Sequence, residues 1–283
     1  MLSICIPTYN RLPFLQWTLD RTLADFPDAK IIVSDDGSTD GTAALRFKGR
    51  FIRQAANIGP FPNMRAVLLA SHTKYCTFLG DDDYLLPDQV QKGIDFLEAN
   101  PKVIAYYAPC QLYDEVEQKA AWEAFYVAED KTFERADDLW NFIIAKHVWP
   151  EHAIWRREWL EHAMQPRLRA YWCFVDLANA FAQGPVHFAS VPFYRNITQH
   201  PVGRRGKLGD AQCLTDFDQY RAGLENLAFD LFQKDLDKPG VRETINNGIH
   251  AFIKIRIHTA HRLLAHNGAL AEAESYAKRL LIM

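Results

Sequence analysis

The chain has 283 residues, 48 % hydrophobic and 24 % charged, with 14 glycines and 14 prolines, values that exclude disordered, collagen-like and low-complexity classes. That length suits two domains, or one large α/β unit with a helical appendage. With 32 Lys and Arg against 35 Asp and Glu, the formal charge of -3 exerts no global pull on nucleic acid or an acidic membrane, so nucleic acid is not an expected partner.

Leu2 to Pro7 reads as a buried strand that stops at Thr8-Tyr9-Asn10. Leu12, Leu15, Leu19, Leu23 and Phe26 then recur at helical intervals, in a helix that opens near Asn10 or Arg11 and tolerates Pro13 in its first turn. Lys30 to Ser34 is a second strand, halted by Asp35-Asp36-Gly37-Ser38. Phe51 to Gln54 reads as a short strand, Pro62 to Ser71 as a helix, and Tyr75 to Leu79 as a strand ended by Gly80-Asp81-Asp82-Asp83. Pro87 opens the next helix, whose Val90, Ile94 and Leu97 share a face before Asn100-Pro101 stops it; Val103 to Tyr107 is strand again. From Pro109 to about Arg205 lie six of the seven tryptophans. There Asp137 to Lys146 and Phe174 to Gln183 read as helices, and His152 to Arg156 and Val186 to Tyr194 as strands. Residues 203–210, GRRGKLGD, read as a mobile loop or linker, and 214–283 carry helical periodicity alone, broken at Lys238-Pro239-Gly240 and Asn267-Gly268.

Apolar strands separated by helices imply a parallel-rich sheet covered on both faces. Open α/β sheets bind ligands at strand carboxyl ends, so Thr8-Tyr9-Asn10, Asp35-Asp36 and Asp81-Asp82-Asp83 are expected to converge on one crevice. The five cysteines, Cys5, Cys76, Cys110, Cys173 and Cys213, are scattered without a C-x-x-C pair; a disulfide framework and a zinc site are not expected, and a reducing cytoplasm is. The opening MLSICIPTYN has no basic stretch before a long apolar run, and no window reaches about 18 apolar residues, so neither a leader nor a spanning helix is expected.

The turn after the first strand, P-T-Y-N-R, is neither G-x-G-x-x-G nor a Walker loop, so the phosphates of any nucleotide need another counter-charge. Three successive carboxylates, Asp81 to Asp83, repel one another unless a cation or hydrogen-bond donors offset them, and all-oxygen ligands suit Mg²⁺ or Mn²⁺. The competing reading is an acidic turn before the helix at Pro87.

In order and spacing, S-I-C-I-P-T-Y-N-R, I-V-S-D-D-G-S-T-D-G-T, N-I-G-P-F-P-N and F-L-G-D-D-D-Y-L-L-P-D resemble the family-2 glycosyltransferases of the GT-A fold. The Gly-Asp-Asp-Asp form is most similar to their bacterial surface-polysaccharide, abequosyltransferase-like branch. The resemblance covers residues 1–110 strongly and 145–200 weakly, and is silent beyond. It implies a Rossmann-like α/β fold with a mixed, mostly parallel sheet sandwiched by helices. Residues 1–108 would be the nucleotide-sugar half, 109–205 the acceptor half, and 206–283 a C-terminal helical region.

The resemblance further implies inverting, metal-dependent transfer of one sugar from a nucleoside-diphosphate donor to an acceptor hydroxyl, with Mn²⁺ or Mg²⁺ as cofactor. Carried over by position, Pro7, Thr8 and Tyr9 line the base and ribose pocket. Asp36 accepts the base imide N–H, which favours UDP- or dTDP-linked donors. Asn57, Gly59, Asn63 and Arg65 border the nucleotide and diphosphate. The family's D-x-D is altered, its first Asp aligning with Gly80 and its second with Asp82. Metal ligation therefore falls on Asp82, with Asp83 or Asp81 helping. Asp176, in Y-W-C-F-V-D-L, aligns with the catalytic base that takes the acceptor proton while the nucleotide leaves from the opposite face. A helix cap is its competing reading.

Tyr194-Arg195-Asn196-Ile197-Thr198-Gln199-His200 resembles the family's tail, in which His200, Arg204 and Arg205 would close over the diphosphate; a solvated basic loop is the alternative. Trp149, Glu151, His152 and Trp155 occupy the region that faces the acceptor, a glycan or lipid-linked glycan, because aromatic rings pack on apolar sugar faces. Buried core tryptophans are the alternative there. Val241 to Met283 holds Arg242, Lys254, Arg256, Arg262, Lys278 and Arg279 against Glu243, Glu272 and Glu274. Its apolar residues Ile249, Phe252, Ile253, Ile257, Leu263 and Leu264 leave three uses: packing on the catalytic domain, a homo-oligomer, or peripheral contact with the inner face of the membrane. Two rivals to the enzyme reading are a sugar-1-phosphate nucleotidyltransferase, which needs a Gly-rich basic loop after the first strand, and an inactive nucleotide- or carbohydrate-binding module.

Overall fold

In the computed structural model, which describes residues 2–123, 125, 127–167, 169–203 and 217–281, β1 (Leu2–Thr8) lies between two parallel neighbours, β2 (Lys30–Asp35) and β4 (Tyr75–Phe78). A strand covered on both faces needs no polar alternation, which is why its sequence is one apolar run. β3 (Arg50–Arg53) adds to β2 as a half-exposed edge. Beyond β4 the direction reverses. β10 (Ala153–Arg156) enters antiparallel between β4 and β6 (Ala105–Tyr107), then come β11 (Val186–Phe188) and β9 (Lys131–Phe133).

Helices α1 (Leu12–Asp25), α2 (Pro60–Leu69) and α3 (Pro87–Ala99) connect the parallel strands, each with proline in its first turn, where the missing N–H has no intrahelical partner to lose. α1 buries Leu15 and Leu19 against Ile4, Ile6, Val33 and Tyr75, in the core under the sheet. Among the described residues a second sheet has the order β5 (Tyr84–Leu85), β12 (Tyr194–Gln199), β7 (Cys110–Asp114), β8 (Lys119–Glu123).

The run expected as one strand from Val186 to Tyr194 is two, β11 in the large sheet and β12 in the small one. Asp130 takes the backbone N–H and hydroxyl of Ser190 at 2.7 and 2.6 Å, and Pro192 offers no ladder N–H, so the strand ends between them.

The chain divides into two units: Met1–Glu134 with Trp149–Gln165 and Asn179–Arg205, and Arg135–Val148 with Pro166–Ala178 and Gly206–Met283. The second is helical. It contains α4 (Ala136–Ala145), the first turns of α6 (Trp172–Phe181), which follows the one-turn α5 (Leu160–Ala163) of the first unit, and then α7 (Phe217–Phe232), α8 (Val241–His266) and α9 (Leu270–Leu280). Phe174 and His147 meet Phe252 of α8 with ring centroids 5.6 and 3.9 Å apart. Gly248 lets the Trp140 ring seat on α8, since a Cβ there would lie 2.9 Å from it. Ile249, Phe252, Ile253, Ile257 and Leu264 of α8 are buried. Among the described residues no helix is long and apolar enough to cross a membrane.

Candidate active site

Three parallel strands end side by side, and their carboxyl-end residues bond to one another. The Asp36 N–H donates to the Thr8 carbonyl at 2.9 Å, and the Thr8 hydroxyl donates to Asp81 Oδ2 at 2.7 Å. Asn10, with φ +53°, receives the Thr39 N–H on Oδ1 at 2.7 Å and donates its own N–H to Ser38. Thr8, Asn10, Asp36 and Asp81 are thus brought together within the first unit, whereas Asp83 faces elsewhere. Pro7 is part-buried and Tyr9 is 44 % exposed at the rim.

After β2, both carboxylates are fixed. Asp35 accepts the Ser38 N–H at 3.0 Å and Arg53 Nη1 at 2.8 Å. Asp36, only 2 % exposed, accepts the backbone N–H groups of Ile58 and Gly59 at 2.8 and 3.0 Å, and so pins the turn that carries Asn57. Two glycines make that turn: Gly59 sits at φ +94°, and at Gly37 (φ +81°) a Cβ would lie 3.3 Å from the backbone of Ala56 and Asn57. Asn63 is buried in α2 and clamps Ser34, accepting from its hydroxyl at 2.6 Å and donating to its carbonyl at 2.9 Å. Arg65 stands half-buried on the same helix.

After β4 the three aspartates diverge. Asp83 turns toward the second sheet, where it accepts the Tyr194 hydroxyl at 2.8 Å, the Ile197 N–H at 2.9 Å and Asn196 Nδ2 at 3.3 Å. The Gly80 N–H donates to the same Tyr194 oxygen at 2.9 Å. A Cβ on Gly80 would lie 2.8 Å from the Asp83 carboxylate and 3.1 Å from the Tyr194 hydroxyl, so the Asp that a D-x-D motif places there would require the Asp83 carboxylate to move. Asp81 and Asp82 remain, both buried, and Arg11 bridges them: its Nε lies 3.2 Å from Asp81 and its Nη2 bonds Asp82. Burial, opposed by Arg11 and reinforced by Asp82, pushes the Asp81 carboxyl up to about 7.

Two buried hard-oxygen ligands fit a divalent cation that takes its other ligands from phosphate and water. With Asp83 engaged elsewhere, Asp82 and Asp81 are the pair in position. Among the described residues no cluster of three or more His, Cys, Asp or Glu forms a closed metal cage.

β10 runs opposite to β4, pairing Ile154 with Thr77 and Arg156 with Tyr75, so the residues that precede β10 lie at the same sheet edge as Asp81 and Asp82. Trp149 and Glu151 are part-exposed there. His152 and Trp155 are corrections to the acceptor-facing set, because both belong to the core. The His152 ring stacks on Tyr194 at 3.7 Å and burial lowers its pKa to about 3, while Trp155, 4 % exposed within the sheet, meets Tyr107 edge-on at 5.6 Å.

His200 is buried against Phe14 and Trp17, with ring centroids 4.8 and 4.4 Å away, and its Nδ1 accepts the Val202 N–H at 3.2 Å. Arg204 and Arg205 lie outside the described residues. Asp176, in the second unit, is 1 % exposed and stands in the second turn of α6, which removes the helix-cap reading. Sequence reasoning missed Arg11 as a partner of the acidic turn. Its signal was a cation placed directly after the strand that neighbours the Gly-Asp-Asp-Asp strand.

The profile of Glycosyl transferase family 2 matches residues 3–163, more than half of the chain. Abequosyltransferase RfbV of Salmonella typhimurium is 34 % identical over 101 residues, 32 % of this chain and 30 % of that one. The GalNAc(5)-diNAcBac-PP-undecaprenol beta-1,3-glucosyltransferase of Campylobacter jejuni is 27 % identical over 171 residues, 57 % of this chain and 53 % of the relative. The chain thus matches about a third to a half of the length of these relatives. Among solved structures, the mannosyltransferase PcManGT of Pyrobaculum calidifontis, in complex with GDP-Man and Mn²⁺, superposes with a TM-score of 0.57 at 16 % identity, covering 99 % of this chain and 79 % of that one. The fold is that of the GT-A glycosyltransferases, with helices at its C-terminal end.

Proposed function

The chain belongs to glycosyl transferase family 2, and from that premise we propose that it transfers a sugar from a nucleoside-diphosphate donor, UDP- or dTDP-linked, to an acceptor hydroxyl with inversion. The product is a bacterial surface polysaccharide or glycoconjugate, the acceptor a glycan that is free or lipid-linked, and the setting cytoplasmic. The observation that carries this reading is the buried Asp81–Asp82 pair at the carboxyl end of β4, beside the Asp36-pinned turn after β2.

Asp82 and Asp81 would hold Mn²⁺ or Mg²⁺, which when bound supplies the positive charge that lets the diphosphate depart. Pro7, Thr8 and Tyr9 border the nucleoside on one side and the Asn57–Gly59 turn on the other, with Asp36, which fixes that turn, also accepting the base imide N–H, and Arg65 nearby on α2. Asp176 is proposed to accept the proton of the attacking hydroxyl. Trp149 and Glu151 receive the acceptor; the basic tail from His200 through Arg204 and Arg205 covers the diphosphate.

A nucleotidyltransferase would need a Gly-rich phosphate loop after β1. Here β1 runs through Thr8-Tyr9-Asn10-Arg11 directly into α1, which disfavours it. An inactive binding module would share the nucleotide binding tested next but would release no nucleoside diphosphate from a sugar nucleotide in the presence of acceptor. In thermal unfolding with UDP, dTDP or GDP, with and without Mn²⁺, we expect a rise in Tm that needs metal and is largest for UDP or dTDP; a Tm that no combination raises overturns the proposal.

A further inference from the structure

We infer that Arg11 is the exchangeable counter-ion of the metal pair: without metal it neutralises Asp81 and Asp82, and a divalent cation binds by displacing it. The inference rests on the metal reading proposed above. Its basis is the contrast in what satisfies each carboxylate of the turn. Asp83 is held by three donors that belong to the fold, one of them a strand N–H. Asp81 and Asp82 share one cation, the Arg11 guanidinium, and Asp81 also accepts the Thr8 hydroxyl at 2.7 Å. A guanidinium and a metal ion on the same oxygens repel each other, so one must leave for the other to bind.

Arg11 is built to leave. Its backbone is anchored, since its carbonyl accepts the Leu15 N–H at 3.0 Å at the start of α1, so only the side chain has to move. That side chain is 26 % exposed, while its partners are 8 and 5 % exposed, which gives the cation a route to solvent that the carboxylates lack. Its guanidinium also rests over the part-buried Phe14 ring, 4.8 Å from the centroid.

The test is Mn²⁺ binding to the nucleotide-free protein, read by electron paramagnetic resonance of free Mn²⁺, together with thermal unfolding. If Arg11 occupies the pair most of the time, apparent metal affinity is reduced by the fraction of molecules in which the pair is open. Arg11→Gln is therefore expected to bind Mn²⁺ about 10- to 100-fold tighter than the wild type. It should also melt at a lower temperature without metal and recover on adding Mn²⁺, a rescue that a merely structural arginine would not give. Arg11→Lys, which keeps a charge but loses the two-pronged contact, should fall between the two and carries the test if Arg11→Gln does not fold. Equal or weaker Mn²⁺ affinity in both variants overturns the inference. If wild type and variants bind Mn²⁺ equally, only the exchange role falls; if none binds it, with or without UDP, the metal reading falls as well.

Discussion

Two acidic turns stand at neighbouring strand ends, Asp35-Asp36 after β2 and Asp81-Asp82-Asp83 after β4, and they look alike in sequence. In the first, backbone N–H groups of Ser38, Ile58 and Gly59 and the Arg53 guanidinium fix both carboxylates. In the second, Asp83 is fixed in the same manner by β12, but Asp81 and Asp82 share the side-chain cation of Arg11. A carboxylate held by main-chain amides is part of the scaffold, because freeing it means breaking the fold. One held by a side-chain cation can change partners. The difference teaches that adjacency in sequence says little about role; the donor that meets each oxygen decides it.

The sharpest way to break this contrast is to neutralise Asp82. Asp82→Asn should lower kcat/KM about a thousandfold while leaving the melting temperature close to that of the wild type, since the substitution relieves repulsion with Asp81. Asp176→Asn serves as the control: a transfer loss of similar order, but metal-dependent nucleotide binding unchanged. An Asp82→Asn enzyme that transfers at the wild-type rate would place the metal, or the chemistry, elsewhere.

The converse should hold for Asp83. Asp83→Ala strands the Tyr194 hydroxyl, the Ile197 N–H and the Asn196 amide, so the expected cost is about 2–4 kcal/mol of stability, measured by urea unfolding. Its Mn²⁺ affinity, in whatever fraction remains folded, should match the wild type. A stable Asp83→Ala that no longer binds Mn²⁺ would exchange the roles assigned to Asp82 and Asp83.

What the sequence disclosed follows the same division between local and distant causes. β1, β2, β4, α1 and α3 were legible because apolar runs and helical spacing are local, and so were the strand-end clusters. The first turn of α2 came two residues earlier than expected, since Gly59 at φ +94° lets the chain enter the helix at Pro60 rather than Pro62. The second sheet was not legible: β12 pairs with Tyr84–Leu85 and with Cys110–Asp114, which lie far from it in sequence, and β5 has only two residues. Arg11 was missed for the same reason, its partners being about 70 residues away. Trp155 and His152 misled because aromatic rings suit sugar faces as well as a core, whereas β10 carries Trp155 between two strands and the His152 ring stacks on the buried Tyr194.

His152 allows the finest test, because it touches the fixed side of the contrast alone: its ring stacks on the Tyr194 that holds Asp83. Burial lowers its pKa to about 3, against an ordinary histidine value of 6.5 in the unfolded chain. Between those values the unfolded state binds more protons than the folded one, so stability is full above about 6.5 and declines as pH falls, by about 1.4 kcal/mol per unit from this group. At pH 5 that amounts to about 2 kcal/mol. His152→Phe keeps an aromatic ring on Tyr194 and removes the titration. It should therefore flatten the loss of stability between pH 6.5 and 5 in urea unfolding by about that amount, while Mn²⁺ affinity at pH 7 stays that of the wild type. An unchanged acid limb would mean that the ring is already charged or solvated, and that the Asp83 anchor is looser than its three hydrogen bonds imply.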